Sequence, residues 1–106
     1  MDVLAEHRLL ASYPTGESVP VYLHITRPVN RPKGGWACQV AGEGLRSWNG
    51  PTQIYGSGSL QALVRSLRFL HEVLSGEVRQ GAIFRQDSTG RRTIDLDELF
   101  GAHSIT

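Results

Sequence analysis

Leu60 to Ser75 reads LQALVRSLRFLHEVLS, and its periodicity decides the architecture. On a helical wheel at about 100° per residue, Leu60, Leu63, Val64, Leu67, Leu70 and Leu74 form one stripe. Ala62, Phe69 and Val73 form a second stripe beside it, with Ser66 between. Only Gln61, Arg65, Arg68, Glu72 and Ser75 make a clearly polar face. The apolar arc spans roughly 220°, against about 100° or more for an ordinary surface helix. A helix of that kind needs cover on two sides. One sheet face cannot easily reach both stripes. The second, Ala62, Phe69 and Val73, is therefore expected to meet a second subunit or the C-terminal tail.

The sequence before the helix has a different period. Val19, Val21, Leu23 and Ile25 alternate with Pro20, Tyr22, His24 and Thr26, a strand pattern rich in β-branched residues. Pro14-Thr15-Gly16-Glu17 is turn chemistry, so Leu4 to Ser12 reads as the partner strand of a hairpin. Arg27 to Gly35, with two prolines and a Gly pair, is a loop. Trp36 to Val40 is a third strand, with Trp36, Cys38 and Val40 on one face, and Gly42-Glu43-Gly44 turns the chain. Leu45 to Tyr55 is a fourth strand, interrupted at Asn49-Gly50-Pro51 because proline cannot donate to a ladder. Gly56-Ser57-Gly58-Ser59 opens the helix, and Gly76 is expected to close it as a left-handed cap. Ala82 to Gln86 and Arg91 to Ile94 flank Asp87-Ser88-Thr89-Gly90 as a second, small hairpin. Asp95 and Glu98 have capping-box spacing, so Leu96 to Phe100 is a short helical turn able to cover part of the wide helix.

The expectation is an α+β fold: a four-stranded, mainly antiparallel meander packed on one long helix, with a small β/α C-terminal tail. A chain of 106 residues is one domain, 1–106, with a core over 5–84 and an extension over 85–106. It is 40% hydrophobic and 20% charged, as in ordinary globular proteins, and its net charge of +1 leaves no electrostatic footprint for nucleic acid or an acidic membrane. One cysteine excludes an internal disulfide. The opening MDVLAEHRLL makes a poor signal peptide, and no run approaches the ~20 apolar residues of a spanning helix, so a cytoplasmic protein is expected.

Trp36-x-Cys38, then Gly56 and the string S-L-Q-A-L at Ser59 to Leu63, resemble a family of short bacterial proteins that form a domain of unknown function. In that family a hairpin precedes W-x-C, and a G-x-D-S-L-Q-A-L helix start follows. The resemblance covers roughly Ala5 to Phe84. Gly58 stands where the motif has Asp, which removes a side-chain cap. The resemblance implies a fold and a bacterial source, and no activity.

The residues that could carry chemistry do not assemble into a catalytic set. A Cys38 nucleophile needs a base within reach, but His24 falls on the opposite strand face from the alternating apolar residues. Cys38 reads as a small buried hydrophobe. His7, His24, His71 and His103 lack metal-site spacing, and one Cys cannot build a structural zinc site, so neither metal nor cofactor is expected. Gly56, Ser57, Gly58 and Ser59 are a better candidate. Helix-start N–H groups attract anions, and the two glycines and two hydroxyls would let a phosphate approach. Yet Gln61 breaks the G-x-G-x-x-G fingerprint, and a turn with a Ser cap is the simpler reading. Arg27, Arg31 and Lys33 share a loop, Arg65 and Arg68 the helix's polar face, and Arg91-Arg92 a turn. Glu6, Glu17, Glu72 and Glu77 dilute them, which speaks against nucleic acid. Tyr22 and Trp48 are either stacking platforms or cross-strand packing. Asp95, Asp97 and Glu98 read as caps. The function expected is a protein-interaction module, acting as a homodimer or on another protein. The alternatives are a small-ligand or phosphate binder at Gly56 to Ser59, and an enzyme built on Cys38.

Overall fold

A computed structural model of the chain describes residues 2–86 and 96–99. Strand β1 is Val3–Ser12, β2 Ser18–Thr26, β3 Val29–Asn30, β4 Trp36–Glu43 and β5 Thr52–Gly56. Helix α1 is Ser59–Arg79, strand β6 Ile83–Arg85 and the short helix α2 Leu96–Leu99. The architecture is α+β, with an antiparallel sheet of six strands where four were expected.

The four expected strands keep their meander order; β6 falls within the strand expected over Ala82 to Gln86 but joins the main sheet, and the short β3 was not expected. Ala37 pairs with both Val29 and Tyr55, and Val40 with both Ile25 and Thr52. A strand has two edges, so β5 lies on one edge of β4, while β2 and β3 share the other. β3 is therefore β2 resumed after the break at Arg27-Pro28. Across that break the Gln39 N–H donates to the buried Thr26 hydroxyl at 2.8 Å, replacing a ladder bond that no strand residue supplies. β6 returns after the helix to the free edge of β1, with Ala11 opposite Phe84. Its expected hairpin partner Arg91 to Ile94 lies outside the described residues, as do Asp95, Phe100 and His103.

The expected fourth strand over Leu45 to Tyr55 is shorter because its first half is a folded loop. Leu45 is buried there, and its N–H and carbonyl are both bonded to the Asn49 side chain, at 3.0 and 2.9 Å. Trp48 donates its indole N–H to the Thr52 hydroxyl at 2.9 Å. The strand starts only at Thr52, after a cis Gly50–Pro51 peptide.

The helix is longer than expected, running through Gly76 to Arg79. Its cap is Gly81, at φ +101°, where an L side chain is strained. The Gly81 N–H reaches the Val78 carbonyl and the Ala82 N–H reaches Glu77, the bond pair of a Schellman motif. Gly76 has no left-handed φ and sits inside the helix. The sequence rule was applied to the wrong glycine.

Helix α1 starts beside the β5 edge and ends beside β6 on the opposite edge, so it crosses the sheet diagonally. Its buried line is Ala62, Ser66, Leu70, Leu74 and Glu77. Leu9, Ala11, Val21, Leu23, Cys38, Val40 and Phe84 meet it from the sheet and complete the core. The Ser66 hydroxyl is fully buried and donates to the Ala62 carbonyl at 2.8 Å, so its burial leaves no orphan. A diagonal helix leaves two corners of the sheet face uncovered. The loop carrying Leu45 and Trp48 fills one, and α2 borders the other.

Candidate functional site

Of Gly56, Ser57, Gly58 and Ser59, the first is packed and the second hydrogen-bonded within the chain. Gly56 is buried because α1 lies directly on it: an added Cβ would stand 2.4 Å from the Ala62 nitrogen. Its lack of a side chain serves helix packing, a use that neither the turn reading nor the alternative of phosphate approach had named. The Ser57 backbone N–H and hydroxyl both donate to Gln61 Oε1, at 2.7 and 3.1 Å. That bond is a variant of the capping box, with Gln at the third helical position. The Gln of S-L-Q-A-L is its sequence signal. Gly58 is the N-cap residue and offers no side-chain cap, in place of the expected Ser, and Ser59 opens the helix exposed to solvent.

The stripe expected to meet a partner packs on the chain's own core. Ala62 has no exposed surface. Phe69 stands edge-on to Trp48 at 5.1 Å between ring centroids, and Val73 packs beside it. Trp48 is thus a packing residue, and the loop it belongs to supplies the second cover that the sequence required. The apolar residues left outside lie on the other flank. Leu60 is 73% exposed, and Val64 and Leu67 are each 40% exposed. They form a row along α1, spaced by four and three residues.

Cys38 is buried on the helix side of the sheet, opposite Ile54, and His24 is on the other side, opposite Glu6 and Ala41. The two cannot pair. A bulky thiol reagent is expected to label native protein at least about a hundredfold more slowly than unfolded protein. Equal rates would show that the strand opens or that the thiol is accessible. Among the described residues, no group of three or more His, Cys, Asp and Glu could hold a metal, and no helix is long and apolar enough to cross a membrane.

The basic loop residues Arg27 and Arg31 border a groove of about 560 Å³ on the outer sheet face, floored by Gln39 and Gln53. Arg31 stacks on the Tyr55 ring at 4.5 Å. Tyr22 lies on the same outer face, its hydroxyl donating to Glu6 and its ring under the Arg8 guanidinium at 4.7 Å. Acid and base alternate there, so no single-sign surface forms. Arg91 and Arg92 lie outside the described residues.

Two features escaped the sequence reading. The first is Glu77, 1% exposed at the end of α1. Its carboxylate accepts from the Tyr13 hydroxyl at 2.6 Å and from the backbone N–H groups of Arg46 and Ser47, at 3.1 and 3.0 Å. Burial pushes its carboxyl upward, but the Tyr13 hydroxyl, Ser47 and the Arg46 N–H outweigh it and leave it below the usual range. Burial, and then the bond to Glu77, push the Tyr13 hydroxyl up to about 12. Arg46 covers the Tyr13 ring at 4.0 Å, and its guanidinium also reaches the Thr15 hydroxyl at 3.1 Å. The cluster ties the hairpin turn, the loop after β4 and the helix end together. Every bond named in it runs within the fold, and its role is structural.

The second is a cleft of about 240 Å³ in the corner of the sheet that the diagonal helix leaves open. Ala5, Glu6, His7, Leu23, His24 and Ile25 line it from β1 and β2, Leu67 and Leu70 wall it from α1, and Leu99 borders it from α2. His7 faces the helix because it shares the alternation of Leu9 and Ala11. Its Nε2 is buried with no hydrogen-bond partner. His24 Nδ1 is in the same condition on the outer face, beneath Tyr22.

The family model described as a domain of unknown function, DUF6968, matches residues 6–94, most of the chain and ten residues beyond Phe84. No curated protein and no solved structure matches it.

Proposed function

We propose that this chain, which belongs to the DUF6968 family, is a protein-interaction module that pairs with a second copy of itself through one flank of α1. The observation that supports the reading is the row Leu60, Val64 and Leu67, with Leu60 73% exposed. Apolar surface left in water is costly at about 25 cal/mol per Å². Contiguous apolar patches on monomers mark interaction sites. A straight row on a helix suits a two-fold contact, because one patch then serves both partners. The interface expected at Ala62, Phe69 and Val73 is reassigned to this flank, since those residues are spent on the core.

Light scattering at tens of micromolar, roughly the range of a modest interface, is the test. The wild type is expected at twice the 11.7 kDa chain mass. A Leu60→Glu, Val64→Glu variant, altered only at exposed positions, is expected at the mass of one chain with unchanged thermal stability. A monomeric wild type overturns the reading, and so does a variant that remains dimeric.

A further inference from the structure

We propose that the outer edge of β5 is a docking edge for the β5 strand of a second copy of this chain, and that Arg65 holds it closed. The proposal does not depend on pairing through α1, which concerns a different surface.

The hydrogen bonds of β4 fix which backbone groups β5 turns outward. The two strands pair over Trp36 to Val40 and Thr52 to Gly56 with no break in register. The Gln39 N–H points away from β5, since it donates to the Thr26 hydroxyl on the β2 side at 2.8 Å. Gln39 and its partner Gln53 are therefore a non-hydrogen-bonded pair, in which both residues aim their backbone groups away from each other. The N–H and carbonyl of Gln53 face outward, and so do those of Tyr55, two residues on. Among the described residues β5 pairs with β4 alone.

Two outward residues spaced by two make an edge that fits itself. With Gln53 opposite Tyr55 of the second copy, the pairing is antiparallel about a two-fold axis through Ile54. Each copy then gives its Gln53 N–H to a Tyr55 carbonyl and its Tyr55 N–H to a Gln53 carbonyl. The strand Thr52–Gly56 has no charged residue to oppose this, whereas the other side of the sheet carries Glu6 and Arg8 on β1 and Arg85 on β6. Natural sheets use charge to keep an edge from pairing with another chain. Here the charge comes from the helix. Arg65 Nη1 donates to the Tyr55 carbonyl at 3.1 Å, across the open edge. That carbonyl is one of the two acceptors each copy would contribute, so half of the bonds are forestalled. Pairing would also bring two guanidinium groups to one seam. Gln61, one turn earlier on α1, holds the Ser57 N–H just past the strand end at 2.7 Å. The two side chains follow the edge together, and Pro51 limits it at the other end because it has no N–H to give.

Light scattering and amide hydrogen exchange on wild type and Arg65→Ala, both at about 100 μM, test this. Position 65 is exposed, so the variant keeps the core. Its mass is expected to be at least about twice that of the wild type, whatever the state of the wild type itself. Its Gln53 and Tyr55 N–H groups are expected to exchange at least about tenfold more slowly than in the wild type. Adding Gln53→Pro removes an outward N–H and leaves the β4 ladder its bonds. That double variant is expected to return to the wild-type mass and to the wild-type exchange rate at Tyr55. An Arg65→Ala protein of wild-type mass overturns the proposal. A heavier protein whose Gln53 and Tyr55 amides exchange as in the wild type also overturns it, because another surface then carries the association. A wild type whose two amides are already protected overturns the closing role of Arg65.

Discussion

Glu77→Ala is expected to lower the stability of the domain by about 3–5 kcal/mol, the range for breaking a buried charged network. The substitution strands three donors at once: the Tyr13 hydroxyl and the N–H groups of Arg46 and Ser47. Each stranded donor costs about 1–3 kcal/mol, less where water can enter the space left behind. Domains of this size carry only about 5–15 kcal/mol in total, so the loss is a large share. In thermal unfolding it amounts to a fall of roughly 12–40 °C at 4–8 °C per kcal/mol. Glu77→Gln keeps the volume and one acceptor oxygen, but turns an amide toward a donor. A smaller loss of about 1–3 kcal/mol follows.

The same cluster sets both ends of the pH profile. The Glu77 carboxyl titrates lower in the folded chain than its unfolded value of 4.5. Its contribution is complete above that value and is lost as pH falls through the folded one. Tyr13 behaves oppositely. Its folded value is about 12 against 10.0 unfolded, so its contribution is complete below pH 10 and is lost as pH rises toward 12. Urea midpoints measured from pH 3 to 11 should therefore show a plateau between about 5 and 9.5 and fall at each end. Glu77→Ala should flatten the acid limb and Tyr13→Phe the alkaline one. A Glu77→Ala protein that keeps the wild-type acid limb would assign that limb to other carboxylates.

How much of this was legible in the sequence depends on how local each cause is. The alternation of Val19 to Ile25 and the Pro14 to Glu17 turn gave the hairpin, because period and turn chemistry are properties of neighbouring residues. The meander followed from short connections. β3 was missed because two residues carry no period, and only pairing with β4 makes them a strand; β6 was read as a strand, but its place beside β1 is a long-range pairing that no local pattern reports. The width of the helix's apolar arc was read correctly as a demand for two covers. Which flank would be covered was not readable, because it depends on where the Leu45 to Thr52 loop folds. That loop places Trp48 on Phe69, and so leaves Leu60 and Val64 outside. Glu77 was invisible once the helix was ended at Ser75. Two more residues would have put it on the same line as Ser66, Leu70 and Leu74. The cleft is a consequence of the crossing angle, which no single residue reports. His7 was the one available hint, an imidazole on the apolar phase of a strand.

Gly56→Ala is expected to destabilise the domain by about 3 kcal/mol, while Gly58→Asp, two residues on, leaves it unchanged or raises its stability by about 0.3–1 kcal/mol. Both glycines belong to the segment whose sequence suggested an anion site, and the contrast separates packing from ligand approach. A Cβ at position 56 meets the Ala62 nitrogen at 2.4 Å and its Cα at 2.9 Å. Both are backbone atoms of α1, so no rotamer change relieves the contact. Either the helix lifts from β5, loosening Ala62 and Ser66, or the strand end moves and strains the pairing of Gly56 with Trp36. Position 58 is open space, at an extended φ of −142° that any residue adopts. Asp there can cap free N–H groups of the first turn, which now has neither a side-chain cap nor an acidic residue. Paired denaturant titrations of the two variants against wild type give the answer. Should Gly56→Ala fall within 0.5 kcal/mol of wild type, the usual scatter of neutral surface changes, close helix packing is not what requires a glycine at that position.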